Sequence, residues 1–301
     1  MSESAQTSHR FGHVALVGRP NVGKSTLLNS LVGAPLSIVT PKAQTTRHRI
    51  AGIATRTDAQ VVFLDTPGLH QGAKRAMNRQ LNRVARQVPD EADVAIHVIH
   101  ALRWTDEDED VWRLLSKLPK PRLLVINKVD RVPDKTKLLP FAAEITRTRD
   151  FAAVHYIVAK RGDGVPGLMD DVVKRLPEGD AAFGEDEMTD RSERFLAAEF
   201  VREQLMLRFS DELPYAAAVE IERFEDAGDL ARIGAVIWVE REGQKAIVIG
   251  AGGAQLKAIG TAARQAMETM FGRRVFLELW VRVRESWSDD EAMLSRLGYG
   301  D

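Results

Sequence analysis

The stretch Gly18-Arg19-Pro20-Asn21-Val22-Gly23-Lys24-Ser25 fits the spacing GxxxxGK[ST], follows a strand-like run over residues 13–17 and opens a helix-like run over 25–31. The spacing has a chemical reason. Successive backbone N–H groups must curl around a β-phosphate, and glycine lets the chain approach with no Cβ in the way. The Lys24 ammonium then neutralises β/γ charge. Ser25, at the helix start and followed by Thr26, is placed to ligate Mg²⁺ while the helix dipole favours the anion. Gly18, Asn21, Gly23, Lys24, Ser25 and Thr26 are the first candidate phosphate contacts.

A phosphate loop does not choose a base, but Asn127-Lys128-Val129-Asp130 does. This NKxD string follows the apolar run 123–126, at the carboxyl edge of a buried strand, where open α/β sheets bind ligands. The Asp130 carboxylate can accept from N1–H and the exocyclic amine of guanine, two donors adenine does not present together. A site built on that pair rejects the wrong base by on the order of 10⁴, because mispairing strands a desolvated carboxylate. The Lys128 stem can cover the base plane, and Asn127 can tie this loop to the phosphate loop.

Between the two lies Asp65-Thr66-Pro67-Gly68, again at the end of an apolar strand, 61–64. Asp65 can hold the Mg²⁺ shell through water and the Gly68 N–H can sense the γ-phosphate. The polar loop Pro41-Lys42-Ala43-Gln44-Thr45-Thr46-Arg47 lies where a segment ordered by the γ-phosphate is expected. Either threonine could complete the Mg²⁺ shell, and Thr46 is preferred. Val158-Ala159-Lys160, after the strand-like run 154–157, would bring the Ala159 N–H near the guanine carbonyl. Lys24, Thr46, Gly68 and Asn21 are the candidate catalytic set.

Together GRPNVGKS, KAQTTRHRI, DTPGLH, NKVD and VAK resemble a small GTPase of the translation-factor-related class, and the flanking sequence is similar to the Era family. The resemblance implies GTP and GDP as ligands with Mg²⁺. It also implies a K⁺ ion held by Asn21 where an arginine finger's charge would otherwise act. Leu69 stands where Ras-like enzymes carry the glutamine that orients the attacking water. Slow intrinsic turnover is expected.

The 301 residues are enough for two cores. Forty-two basic residues against 43 acidic ones, 44% hydrophobic residues and no cysteine fit a soluble chain without disulfides or thiolate metal sites. No apolar run is long enough to span a bilayer, and the polar start lacks a signal-peptide core, so a cytoplasmic protein is expected. Alternating strand and helix patterns through Leu176 predict an α/β fold, a doubly wound, mostly parallel P-loop NTPase sheet. The reading is a tail at 1–10, a GTPase domain at 11–178, an acidic linker at 179–191, and a smaller α+β domain at 192–301. Thr105, followed by the acids 106–110, reads as a helix cap rather than a cation site. Arg75, Arg79, Arg83 and Arg86 recur at helical spacing, as a solvated face or a stripe facing RNA.

In the second half, a helix at 192–209 and strands at 215–223 and 231–240 precede the turn Gly250-Ala251-Gly252-Gly253, a helix at 254–271 and a strand at 275–283. A GxxG turn can press its backbone against a phosphodiester chain. Between Lys245 and Arg284 seven basic residues face two acidic ones, an excess suited to a polyanion. Lys245, Gly250, Ala251, Gly252, Gly253, Lys257 and Arg264 are the candidate RNA contacts. The string VIGAGGAQLKAIG resembles the Era-family KH loop and helix. That resemblance implies a type II KH fold, a single-stranded target near the 3′ end of 16S ribosomal RNA, and a role in 30S subunit assembly. It further implies a monomer whose contact with the inner membrane, if any, is peripheral. The other open reading is a GTPase of another assembly step or of tRNA modification, with a C-terminal domain that docks protein.

Overall fold

The computed structural model describes residues 9–40, 42, 45–68, 76–210 and 212–299, with the side chains of 76, 78–80, 82 and 84–86 excepted. Leu69, Arg75 and the side chains of Arg79 and Arg86 lie outside the described residues. The chain divides into two compact units. The first holds Met1–Ser37, Arg49–Gly72 and Leu81–Asp190, and the second holds Ile38–His48, Ala73–Gln80 and Arg191–Asp301.

In the first unit the chain runs β1 (Arg10–Val17), α1 (Lys24–Val32), β2 (Ile50–Thr55), β3 (Ala59–Asp65), α2 (Ala76–Glu91), β4 (Val94–His100), α3 (Asp106–Leu115), β5 (Arg122–Asn127), α4 (Leu138–Thr146), β6 (Ala153–Ile157) and α5 (Val165–Val173). The six strands lie in the order β2-β3-β1-β4-β5-β6, all neighbours parallel except the antiparallel β2–β3 pair. Val14, Ala15 and Leu16 on β1 have no exposure because helices cover both sheet faces, and such strands read as unbroken apolar runs. From β1 the chain goes first to one side of the sheet and later to the other. That reversal opens a crevice at the carboxyl ends of β1 and β4, into which Gly18 emerges.

The acidic segment expected as a linker packs on this unit. Gln60, fully buried on β3, accepts from the N–H groups of Ala182 and Phe183, each at 2.9 Å, and Thr189 Oγ1 donates to Ala51 O at 2.7 Å. Among the described residues no single helix is long and apolar enough to cross a membrane.

The second unit contains α6 (Glu193–Arg208), β7 (Ala218–Asp226), β8 (Leu230–Val239), α7 (Glu242–Ile249), α8 (Ala254–Phe271), β9 (Arg274–Val283) and α9 (Glu291–Arg296). Its sheet, β7-β8-β9, pairs β8 antiparallel to β7 and parallel to β9, and α6 and α8 bury its apolar face. The strand expected at 215–223 begins three residues later. Tyr215 and Ala217 point their carbonyls at Arg47, so this stretch serves as a receptor rather than a ladder.

Arg47 shows why Ile38–His48 belongs to this unit. Its guanidinium is 1% exposed and donates to Ala217 O (2.8 Å), Pro214 O (3.0 Å), Tyr215 O (3.0 Å) and Tyr299 Oη (3.1 Å). Arg202, paired with buried Glu199 at 2.6 Å, donates to Thr45 O at 2.5 Å. The His48 ring stacks on Tyr299 at 4.6 Å, meets Phe195 edge-on at 5.1 Å and hydrogen-bonds Gly298 O at 3.0 Å through Nδ1.

Burial pushes His48 down to about 4, offset in part by Glu199. The unfolded chain therefore binds a proton below about pH 6.5 that the folded unit refuses, and stability falls as the pH drops from there towards 4. Between pH 7 and pH 5 this group should remove about 2 kcal/mol from the second unit. Urea unfolding followed by tryptophan fluorescence at both pH values should show the loss, and His48→Gln should flatten that share of the slope.

Candidate functional site

The phosphate loop is shaped by what surrounds it. A Cβ on Gly18 would lie 2.4 Å from Val98 O, and one on Gly23 would lie 2.3 Å from Asn127 Nδ2, so only glycine fits either place. Gly23 (φ 106°) and Asn21 (φ 62°) both take the left-handed conformation. Gly23 is also the N-cap of α1, which has no capping side chain and no acid in its first turn. The orphan N–H groups of the helix start are thereby left for an anion.

Lys24 lies buried across this loop, its ammonium donating to Gly18 O at 2.9 Å and Arg19 O at 3.2 Å. Burial lowers its pKa to about 8, with Asp65 opposing the fall. Asp65, fully buried at the end of β3, accepts at Oδ2 from Ser25 Oγ (2.7 Å) and Ser37 Oγ (2.9 Å). Two hydroxyls and a carboxylate form the hard-oxygen set that Mg²⁺ prefers. Ser37 did not stand out in the sequence. It is held by a pair of hydrogen bonds with Asn29, Asn29 Nδ2 donating to Ser37 O at 2.8 Å and Ser37 N to Asn29 Oδ1 at 2.9 Å, a pairing no local motif announces.

Thr66 Oγ1 donates to Leu16 O at 3.1 Å and ties the DTPG segment to β1. A Cβ on Gly68 would stand 3.0 Å from Pro20, so this glycine lets the two loops touch. Thr46 is buried in the segment that packs with the second unit.

Asn127 closes the base side. Its Nδ2 donates to Val22 O at 2.9 Å, while its Oδ1 accepts from Lys128 N (2.8 Å) and Ala159 N (3.0 Å). The last bond differs from expectation: the Ala159 N–H, anticipated near the guanine carbonyl, satisfies the buried Asn127 amide instead. Lys128, in the left-handed region at φ 61°, donates from Nζ to Asn21 O at 2.6 Å. Its pKa is lowered by burial first and by nearby Arg131 and Arg19. Asp130 and Lys160 are exposed, whereas Val158 and Ala159 are buried.

In the second unit Gly250, Gly252 and Gly253 all have positive φ, and a Cβ on Gly250 would meet Gln255 at 2.6 Å. Beside this turn lies an open groove of about 410 Å³, lined by Leu256, Leu277 and Leu279 together with Gly253, Gly260, Thr261, Lys257 and Arg264. Lys245 does not line it and pairs with Glu242 at 3.8 Å. The basic excess counted along the chain is smaller in space. Arg264 pairs with Glu268, Arg273 with Glu193 and Asp226, Arg282 with Glu222 and Arg284 with Asp290.

Residues 13–128 match the family described as 50S ribosome-binding GTPase, and residues 212–288 match the KH domain. The chain is 60% identical over 291 residues to GTPase Era of Xanthomonas oryzae pv. oryzae, covering 97% of each chain. To GTPase Era of Stenotrophomonas maltophilia (strain K279a) it is 59% identical over 296 residues, covering 98% of this chain and 99% of that one. Two solved structures, an Aquifex aeolicus Era variant bound to GDP·AlF4⁻ and an Era complex with MgGDPNP and nucleotides 1506–1542 of 16S ribosomal RNA, each superpose with a TM-score of 0.93. Both are at 40% identity and cover 97% of this chain and all of the other. Full-length identity on this scale, with a guanine-type loop bonded to the phosphate loop and a GxxG turn in a separate unit, places the chain in the Era family of GTPases.

Proposed function

We propose that this GTPase is a slow, K⁺-stimulated switch that binds single-stranded 16S ribosomal RNA near its 3′ end and assists assembly of the small ribosomal subunit. One observation carries the reading. A single chain joins a phosphate loop bonded to a guanine-type loop with a GxxG turn opening on an apolar groove edged by Lys257 and Arg264. The groove suits bases on its leucines and a phosphodiester chain against the glycines. The solved Era complex with 16S nucleotides supports the same assignment.

In the proposed nucleotide site, Gly18, Asn21, Gly23, Lys24, Ser25 and Thr26 take the phosphates, and Asn127, Lys128 and Asp130 take the base. Val158, Ala159 and Lys160 border the base loop. Ser25, with Asp65 through water and Thr46, would hold Mg²⁺, which supplies charge neutralisation between the β- and γ-phosphates. Gly68, whose place beside Pro20 leaves little room for a Cβ, would offer its N–H to the γ-phosphate. The Asn21 side chain is exposed, and its backbone carbonyl is already taken by Lys128, so the carboxamide is the group assigned to K⁺. In the RNA site, Gly250, Ala251, Gly252 and Gly253 meet phosphate, Lys257 and Arg264 supply charge, and Lys245 adds charge from outside the groove. The protein is assigned to the cytoplasm as a monomer acting on 30S subunits, with any inner-membrane contact peripheral.

Replacing Gly252 and Gly253 together by Asp should lower affinity for a 16S 3′-end oligonucleotide by at least about tenfold, read by fluorescence anisotropy, while GTP hydrolysis stays near wild type. Undiminished RNA binding would refute the groove assignment. Asp130→Asn should cost on the order of 10² or more in GTP affinity and favour xanthosine triphosphate, measured by competitive nucleotide binding. Turnover in KCl should exceed that in NaCl at equal ionic strength, and equal rates would remove the role given to Asn21.

A further inference from the structure

We propose that Asp108, on α3, is a positioning residue for nucleotide binding that acts through Arg19 of the phosphate loop. The inference rests on the phosphate loop binding GTP. Arg19 Nε donates to Asp108 Oδ2 at 3.1 Å, with side-chain exposures of 10% and 0%. The same oxygen accepts from Thr105 N at 2.9 Å and Thr105 Oγ1 at 2.8 Å. One carboxylate oxygen thus caps the helix and holds the loop. Oδ1 is buried with no hydrogen-bond partner among the described residues.

A capping acid has no need of this burial. Of the four acids in the first turn of α3, Asp106, Glu107, Asp108 and Glu109, only Asp108 is buried. An acid that only favoured the helix dipole would gain as much in solvent. Its burial follows from the guanidinium it meets, and a buried pair of this kind is costly to break by removing one partner.

Arg19 sits at an electrostatic crossing. It depresses the pKa of Lys24, which touches phosphate, and of Lys128, which covers the base, while Asp108 raises that of Lys24. Lys24 also donates to the Arg19 carbonyl. Clamping the Arg19 side chain therefore fixes the peptide whose carbonyl accepts from Lys24. It also keeps a third cation from swinging across the loop. Losing Asp108 would release both restraints, and the expected defect is in holding nucleotide rather than in the chemical step.

The test compares Asp108→Asn, Arg19→Gln, the double variant and Thr105→Ala in the full chain. Release of a fluorescent GDP analogue, GTPase KM and kcat, and melting temperature are measured for each. Asp108→Asn should speed GDP release by about tenfold and raise KM similarly, with kcat within about twofold. Arg19→Gln should do the same, and the double variant should be no worse than the more affected single one, since the two residues form one device. Thr105→Ala should lower the melting temperature and leave GDP release unchanged. A wild-type release rate in Asp108→Asn, additive effects in the double variant, or faster release in Thr105→Ala equal to that of Asp108→Asn would each overturn the proposal. Should Asp108→Asn not fold, Arg19→Gln reads the same linkage from the other side: it removes the guanidinium that Asp108 meets, and unchanged GDP release in it would also overturn the proposal.

Discussion

The nucleotide site hangs on one carboxamide. Asn127 ends β5 with its amide buried, and its three bonds reach the phosphate loop at Val22, the base loop at Lys128 and the closing loop at Ala159. These segments are far apart in the chain, and no other side chain among the described residues is seen to bond all three. Its position constrains its neighbours in turn. Gly23 must lack a Cβ because Asn127 Nδ2 occupies that space, and Ala159 turns its N–H to Asn127 Oδ1. A buried amide left unbonded costs about 1–3 kcal/mol, so any loop that moved away would leave Asn127 paying that penalty.

The boundary between the compact units falls between Ser37 and Ile38, just before the loop 41–47 expected to respond to the γ-phosphate. Ser37 hydrogen-bonds Asp65 in the first unit, and ten residues further on Arg47 is sunk among the carbonyls of Pro214, Tyr215 and Ala217 in the second. A buried guanidinium with four acceptors anchors a segment whose polar composition gives no sign of burial. Arg202 adds to it through Thr45 O, and Lys42 Nζ donates to Met206 O and Phe209 O. Packing thus assigns to the RNA-binding unit a segment that the order of motifs assigns to the GTPase.

What could be read from the chain was whatever is local or dictated by a ligand. The glycines at 18, 23 and 68, Lys24, Ser25 and the NKVD string carry their reasons in their spacing, and the strand-end placement of each follows from apolar runs that the sheet buries. The unread part is made of contacts between distant residues. Ser37 and Asn29 form a pair with no signature, and Asp108 looked like one acid of a helix cap because its partner lies 89 residues away. Charge counted along 245–284 overstated the basic surface, since Arg273, Arg282 and Arg284 meet acids from other elements. The groove beside the GxxG turn is the firmer ground for the RNA reading, because it depends on shape as well as charge.

The polar groups of the nucleotide site bond one another. Lys24 donates to two loop carbonyls, the Ser25 and Ser37 hydroxyls donate to Asp65, and Lys128 donates to Asn21 O. The two Lys24 bonds are of a kind that phosphate can replace with stronger ones, because a charged acceptor strengthens a hydrogen bond about twofold. The loop that would take that phosphate is curved by Gly23 and tied by Asn127, so little backbone has to be ordered when it binds. The lowered pKa of Lys24 points the same way. An ammonium held at about 8 by burial is short of compensating negative charge, and a triphosphate supplies what the carbonyls of Gly18 and Arg19 cannot.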